Sequence, residues 1–214
     1  MIALVDYGAG NLTSVRKALD AIGAPVWTPS VPGELARAHG IIVPGVGHFD
    51  STRALTKEWR HAIKWEAENR LPVLGICVGL QWLFSGSDEA PEVEGLDLFK
   101  GRCFNLNESA AGLKVPHVGW NSLEIDAPSL LMHGIESGTQ VYFTHSYAAP
   151  VTAETVATCE YGRRFSAAMQ YGNVAAVQFH PEKSGDAGLR ILSNWIAGVD
   201  KSRSRRSSTQ GSGA

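Results

Sequence analysis

Three short stretches of this 214-residue chain combine residue types that can do covalent chemistry. Gly75-Ile76-Cys77-Val78-Gly79 reads Gly-x-Cys-x-Gly between an expected strand and an expected helix. That is the thiol form of the strand–nucleophile–helix elbow, a sharp turn that presents one side chain at the carboxyl edge of a sheet. The glycines are needed because the turn brings neighbouring backbones too close for side chains. A cysteine there also faces the positive end of a helix dipole, which favours the thiolate. His180-Pro181-Glu182 follows the apolar run Val174-Ala-Ala-Val-Gln-Phe179. Residues i and i+2 at a strand end share a face, so Glu182 is placed to set the tautomer and orientation of His180. Pro44-Gly45-Val46-Gly47 ends another strand, where two glycines free the backbone to turn an N–H toward a developing oxyanion. Each stretch has a plainer reading on its own: a core cysteine, a surface turn, an ordinary strand-end loop. Their co-occurrence supplies nucleophile, base, orienter and backbone donors, the parts of a cysteine hydrolase.

Other candidate motifs fail. Gly8-Ala9-Gly10 begins like a dinucleotide loop but lacks the third glycine. Ser14-Val15-Arg16-Lys17 fits Ser-x-x-Lys but lies within an expected helix, without its partner motifs. The seven histidines show no zinc-type pair, so no metal site is expected.

The elements that must position these residues follow from periodicity. Strands are expected at 2–5, 25–28, 41–43 and 73–76, alternating with helical periods at 12–22, 32–39, 51–69 and 78–84. Asn11 stands at a capping position and Gly23 where a helix stops. This alternation argues for an α/β fold, an open mostly parallel sheet flanked by helices. The second half reads as strands at 96–106, 113–125, 141–147, 156–161, 166–171 and 174–179, with helices only at 129–135 and 185–196. These strands are expected as antiparallel additions to the same sheet. Residues 1–200 are expected to form a single domain. Glycine makes up 23 of 214 residues, many of them at strand ends, where open α/β sheets bind ligands.

Composition narrows the class further. Residues 201–214 carry four of the nineteen basic groups and no acid, which leaves 15 basic and 21 acidic groups in the first 200 residues. A body of net charge −6 is a poor nucleic-acid binder. The Ser/Gly-rich basic tail is expected to be disordered. Cys77, Cys103 and Cys159 show no framework spacing, which fits a reducing compartment. The most apolar segment, 71–84, is too short and too interrupted to span a bilayer, and the N-terminus lacks a signal pattern. The expectation is a soluble cytoplasmic protein without membrane or nucleic-acid partners.

The three stretches stand in the order and spacing of the class I, or triad, glutamine amidotransferases, which the chain resembles over residues 1–197. Asp6-Tyr-Gly-Ala-Gly-Asn11, Pro116-His-Val-Gly-Trp-Asn121, Tyr142-Phe-Thr-His-Ser-Tyr147 and Gln178-Phe-His-Pro-Glu-Lys-Ser184 narrow the resemblance to the glutaminase subunits of imidazole glycerol phosphate synthases. Val78 departs from the usual leucine. The resemblance implies that Cys77 attacks the side-chain amide of glutamine and forms a γ-glutamyl thioester, with His180 as base and acid and Glu182 orienting it. It implies an oxyanion hole from the turn of Gly45, Val46 and Gly47 with the Val78 N–H, and glutamine contacts from Gln81, His145, Ser146 and Tyr147. No cofactor is implied. The implied partner is a cyclase subunit with a (β/α)8 barrel, joined as a heterodimer through Asn11, Trp120, Tyr142 and Lys183. Ammonia would pass to it through a tunnel, yielding imidazole glycerol phosphate and an aminoimidazole carboxamide ribotide in histidine biosynthesis. Partner and nucleotide would switch the glutaminase on through a peptide flip in the Gly-Val-Gly turn. Two alternatives stay open: a paralogous glutaminase subunit, such as one serving sugar amination, and a non-catalytic module on the same fold.

Overall fold

Apolar β-branched runs at the start of the chain have no polar face to offer water, so they form a sheet covered on both sides. The computed structural model describes residues 1–108 and 112–210, with 108 and 205–210 as backbone only. In chain order the first half is β1 (Ile2–Leu4), α1 (Leu12–Ala21), β2 (Val26–Trp27), β3 (Gly40–Val43), α2 (Lys57–Glu68), β4 (Val73–Ile76) and α3 (Val78–Leu83). The second half is β5 (Gly86–Ser87), β6 (Arg102–Asn105), β7 (His117–Ser122), β8 (Glu124–Ile125), β9 (Gln140–His145), β10 (Tyr147–Ala148), β11 (Thr155–Tyr161), β12 (Arg163–Tyr171), β13 (Val174–Val177) and α4 (Gly185–Gln210). Among the described residues the main sheet has eight strands in the order β2-β1-β3-β4-β13-β12-β11-β8. The first five run parallel, and β12, β11 and β8 continue antiparallel. This is the expected α/β architecture.

Four differences have physical causes. The strands of the second half do not all join the main sheet: β10, β6 and β5 form a second sheet and β7 pairs with β9 in a ribbon. β7 is buried at His117 and exposed at Val118, Trp120 and Ser122, so one covered face satisfies it and a place inside the sheet is not required. The expected helix at 51–69 is split into a 3-10 turn (Phe49–Ala54) and α2, because Leu55 is buried and Thr56 takes an extended N-cap conformation. Residues 129–135 form turns and no helix. Pro128 restricts the entry and Gly134 adopts φ +74°. Finally, α4 continues through Gln210, where disorder was expected from Lys201. Its packed part, with Ile191, Leu192, Trp195 and Val199 buried, supplies the nucleus from which further helical turns propagate, helped by Lys201, Arg203, Arg205 and Arg206. Ser202 Oγ donates to the Arg70 carbonyl and Ser204 Oγ to that of Asp200. The remainder of the expected tail, 211–214, lies outside the described residues.

The topology brings the chemistry to one edge. β4 lies between β3 and β13, and Val177 of β13 stands opposite Ile76 of β4. The residues that follow β3, β4 and β13 therefore meet at the carboxyl edge of the sheet. These are the Gly-Val-Gly turn, Cys77 and His180.

Candidate active site

Cys77 sits between β4 and α3 with φ +53° and ψ −109°. A non-glycine residue at positive φ costs on the order of 1–3 kcal/mol, so the surroundings must impose it. They do so through close backbone approach. A Cβ on Gly79 would overlap the Val43 carbonyl oxygen, and one on Gly75 would lie 2.7 Å from the Gly79 carbonyl oxygen. The Cys77 N–H donates to the Val177 carbonyl at 2.8 Å, tying the elbow to β13. The sulfur is buried, with Gln178 Nε2 donating to it at 3.6 Å and the Thr144 carbonyl 3.9 Å away.

His180 Nδ1 donates to Glu182 Oε1 at 2.8 Å, and the two side chains are only 1% and 2% exposed. With that proton committed, Nε2 is left buried and without a hydrogen-bond partner. Burial by itself lowers the imidazole pKa, but the negative charges of the Cys77 sulfur and Glu182 carboxylate outweigh it and raise the pKa to about 10. The backbone of His180 is fixed from both sides: its N–H donates to the Tyr142 carbonyl, and Ser184 Oγ donates to the His180 carbonyl while accepting from the Tyr142 N–H.

The glycine turn lies beside the elbow, with Gly45 buried, Val46 half-buried, and Gly47 exposed at φ +93°. The Val78 N–H does not stand free as an oxyanion donor but donates to the Gly45 carbonyl at 3.4 Å. The bond is long, at the weak end of N–H···O geometry. It forms because Gly45 lacks a side chain: a Cβ there would lie 2.7 Å from that of Val78. Tyr7 reaches the same point from the end of β1. Its hydroxyl is buried without a partner, and burial first, then the Cys77 charge, raises its pKa.

Gln81, one turn into α3, is buried rather than solvated. Its Nε2 donates to the Tyr147 carbonyl at 2.9 Å and to Gln178 Oε1 at 3.4 Å, leaving Oε1 unpartnered. His145 is buried, Ser146 and Tyr147 half-buried, and the Ser146 carbonyl accepts from the Leu106 N–H. Sequence reasoning missed Gln178 as a site residue, although it lies in the quoted motif two residues before His180. It also missed Tyr7, Thr144 and Ser184, whose roles depend on contacts distant in sequence.

Of the expected partner-facing residues, three come together. Trp120 is 56% exposed, lies edge-on to Tyr142 at 6.0 Å, and stands opposite it in the β7–β9 ribbon. Lys183 Nζ lies 5.7 Å from the Tyr142 ring centre. Asn11 is exposed and caps α1, its Oδ1 accepting from the Ser14 N–H, and α1 packs against the turn Pro181–Lys183. Among the described residues no three His, Cys, Asp or Glu side chains gather to hold a metal ion, and no helix is long and apolar enough to cross a membrane. A cavity of about 570 Å³ lined by Arg70, Gln170, Trp195 and Lys201 contains none of these residues.

A family model described as glutamine amidotransferase class-I matches residues 3–198. The chain belongs to the class-I glutamine amidotransferases. Within them it is similar to the imidazole glycerol phosphate synthase subunit HisH of Moorella thermoacetica, 48% identical over 198 residues that cover 91% of this chain and 93% of the relative. The protein of the same name from Methanosarcina acetivorans is 46% identical, over 91% of this chain and 97% of that one. Solved structures share the fold: PurLQS from Thermotoga maritima superimposes with a TM-score of 0.71 at 18% identity, covering 92% of this chain and 98% of that chain. A structure described as a glutamine amidotransferase also reaches 0.71, at 19% identity, over 91% and 99% of the two chains.

Proposed function

We propose that this chain hydrolyses glutamine with a Cys77-His180-Glu182 triad and delivers the ammonia to a cyclase partner, as the glutaminase subunit of an imidazole glycerol phosphate synthase. The observation that carries the reading is the buried triad itself: a cysteine held at positive φ, beside an imidazole whose free Nε2 is left for chemistry by its bond to a buried carboxylate. The Cys77 sulfur attacks the amide carbon of glutamine. His180 takes the thiol proton at Nε2 and passes it to the leaving ammonia as the thioester forms. Acylation removes the sulfur's negative charge, which was one of the causes raising the imidazole pKa. Having given up that proton, neutral His180 takes one at Nε2 from the attacking water; the water oxygen bonds the acyl carbon, the carbon–sulfur bond breaks, and glutamate leaves while the sulfur recovers the proton from His180. Gln81 Oε1, buried and unpartnered, is an acceptor available to the bound amino acid.

The bond between the Val78 N–H and the Gly45 carbonyl occupies a donor that the tetrahedral oxyanion needs. A turn of the Gly45-Val46-Gly47 backbone frees it, which fits an enzyme switched on by its partner. That partner is a barrel-shaped cyclase, and Trp120, Tyr142, Lys183 and Asn11 form the face that receives it. An exposed Trp beside a half-buried Tyr suits an interface anchor. The relatives' name, imidazole glycerol phosphate synthase subunit HisH, supports this choice of partner over a paralogous one.

The test is glutamate release by the purified chain, alone and with a cyclase subunit and its nucleotide substrate. Strong stimulation that Cys77→Ala abolishes is the expected result. Equal activity with and without the cyclase would reject the partner, and no activity in folded protein would reject the glutaminase.

A further inference from the structure

We propose that Asn121, His117 and His145 form a directed hydrogen-bond relay that positions Gln81 and Gln178, and through them Cys77, from the strand carrying the partner-facing Trp120; the proposal rests on the glutaminase reading above. His117 and His145 stand directly opposite each other in the β7–β9 ribbon, both buried. His117 Nδ1 meets His145 Nε2 at 3.2 Å, and His145 Nδ1 meets the Tyr147 carbonyl at 2.8 Å. At the outer end Asn121 Nδ2 reaches His117 Nε2 at 3.3 Å. At the inner end the Tyr147 carbonyl also accepts from Gln81 Nε2, which donates in addition to Gln178 Oε1; Gln178 Nε2 in turn donates to the Cys77 sulfur.

The direction of every bond in this line is determined. Burial lowers the pKa of His117 to about 4 and that of His145 to about 3, so each ring is neutral, with one donor and one acceptor. A carbonyl only accepts, so His145 Nδ1 carries the proton and its Nε2 accepts. His117 Nδ1 must then donate, and His117 Nε2 must accept from the Asn121 amide. Reversing either tautomer would leave a buried ring nitrogen facing a carbonyl, a lone pair or an N–H it cannot pair with, so the relay has one arrangement. Aromatic packing holds the His117 ring in place: it stacks on Tyr161 at 4.0 Å and on Phe143 at 4.8 Å. Val118 and Trp120 point outward from the same strand whose inward residues, His117 and Asn121, begin the line. The Pro-His-Val-Gly-Trp-Asn stretch thus links an outer anchor to the thiol through its alternate face.

Two substitutions at His117 separate hydrogen bonding from packing. His117→Phe keeps the aromatic stack and removes both bonds; His117→Asn keeps a donor near the Nδ1 position and gives up the stack. With cyclase and nucleotide present, His117→Phe is expected to lower kcat for glutamine hydrolysis about tenfold or more, as small misplacements of reacting groups do. His117→Asn should stay within about threefold of wild type, a difference that follows from retained hydrogen bonding. Wild-type kcat in His117→Phe, or a larger loss in His117→Asn than in His117→Phe, overturns the relay. If His117→Phe does not fold, Asn121→Ala at the half-buried outer end replaces it, and unchanged kcat there overturns the proposal. The glutaminase reading is checked separately by Cys77-dependent glutamate release in the wild type, so its failure is visible before any variant is compared.

Discussion

Glu182→Gln removes one negative charge from a site where neither partner meets solvent, while a side-chain oxygen remains to accept from His180 Nδ1. Raising the imidazole from 6.5 to about 10 corresponds to about 5 kcal/mol of preference for its protonated form. The Cys77 sulfur and Glu182 provide that jointly, against burial. A hydrogen bond to a charged group contributes about 1.5–3 kcal/mol, so roughly 2 kcal/mol falls to the Glu182 charge. The sign follows from linkage. A group whose folded pKa lies above its unfolded value stabilises the fold fully below about pH 6.5, and the contribution is lost as pH rises through about 10. Glu182→Gln is therefore expected to melt about 4–8 °C below wild type at pH 6, with the gap closing toward pH 10. Partner-stimulated kcat should fall about 100-fold or more, because the orienting charge no longer holds the imidazolium. Thermal melts of both proteins at pH 6 and at pH 9.5, with glutamate release at neutral pH, test all of this. A melting gap equal at the two pH values, or kcat within threefold of wild type, refutes the reasoning.

Three further outcomes are expected. Gly79→Ala places a methyl on the Val43 carbonyl oxygen, where backbone and not a flexible side chain must give way. It should destabilise by about 3 kcal/mol or more, seen as a lower urea midpoint, and an unchanged midpoint would show that the elbow relaxes freely. Trp120→Ala should weaken binding of the cyclase about 30-fold in a titration, the loss typical of a central aromatic anchor, and an unchanged Kd would remove Trp120 from the interface. Gly47→Pro is incompatible with φ +93° and removes an N–H from the turn. Loss of partner-stimulated turnover is expected, and full stimulation would exclude this turn as the switch.

Much of the site was legible locally. Gly-x-Cys-x-Gly announces the elbow because its cause is steric and lies within five residues: Gly75 and Gly79 are the positions where backbones touch. His180 and Glu182 are two residues apart and meet through one strand end and turn, so their pairing too could be read from spacing. The parallel half of the sheet was equally readable, because alternating buried strands and amphipathic helices leave few ways to cover both faces. Tertiary structure decided what depends on contacts distant in the chain. Periodicity marks β7 and β9 as strands, but only packing sets them in their own ribbon and thereby brings His117 opposite His145. Packing likewise turns the Gly45 carbonyl toward the Val78 N–H and carries Tyr7 from the end of β1 to the same spot. The sequence by itself determined which residues form the elbow and the His–Glu pair, since local backbone sterics and short spacing specify them. The fold alone decided which donors are free and which are already spent, because a hydrogen-bond partner tens of residues away leaves no local pattern.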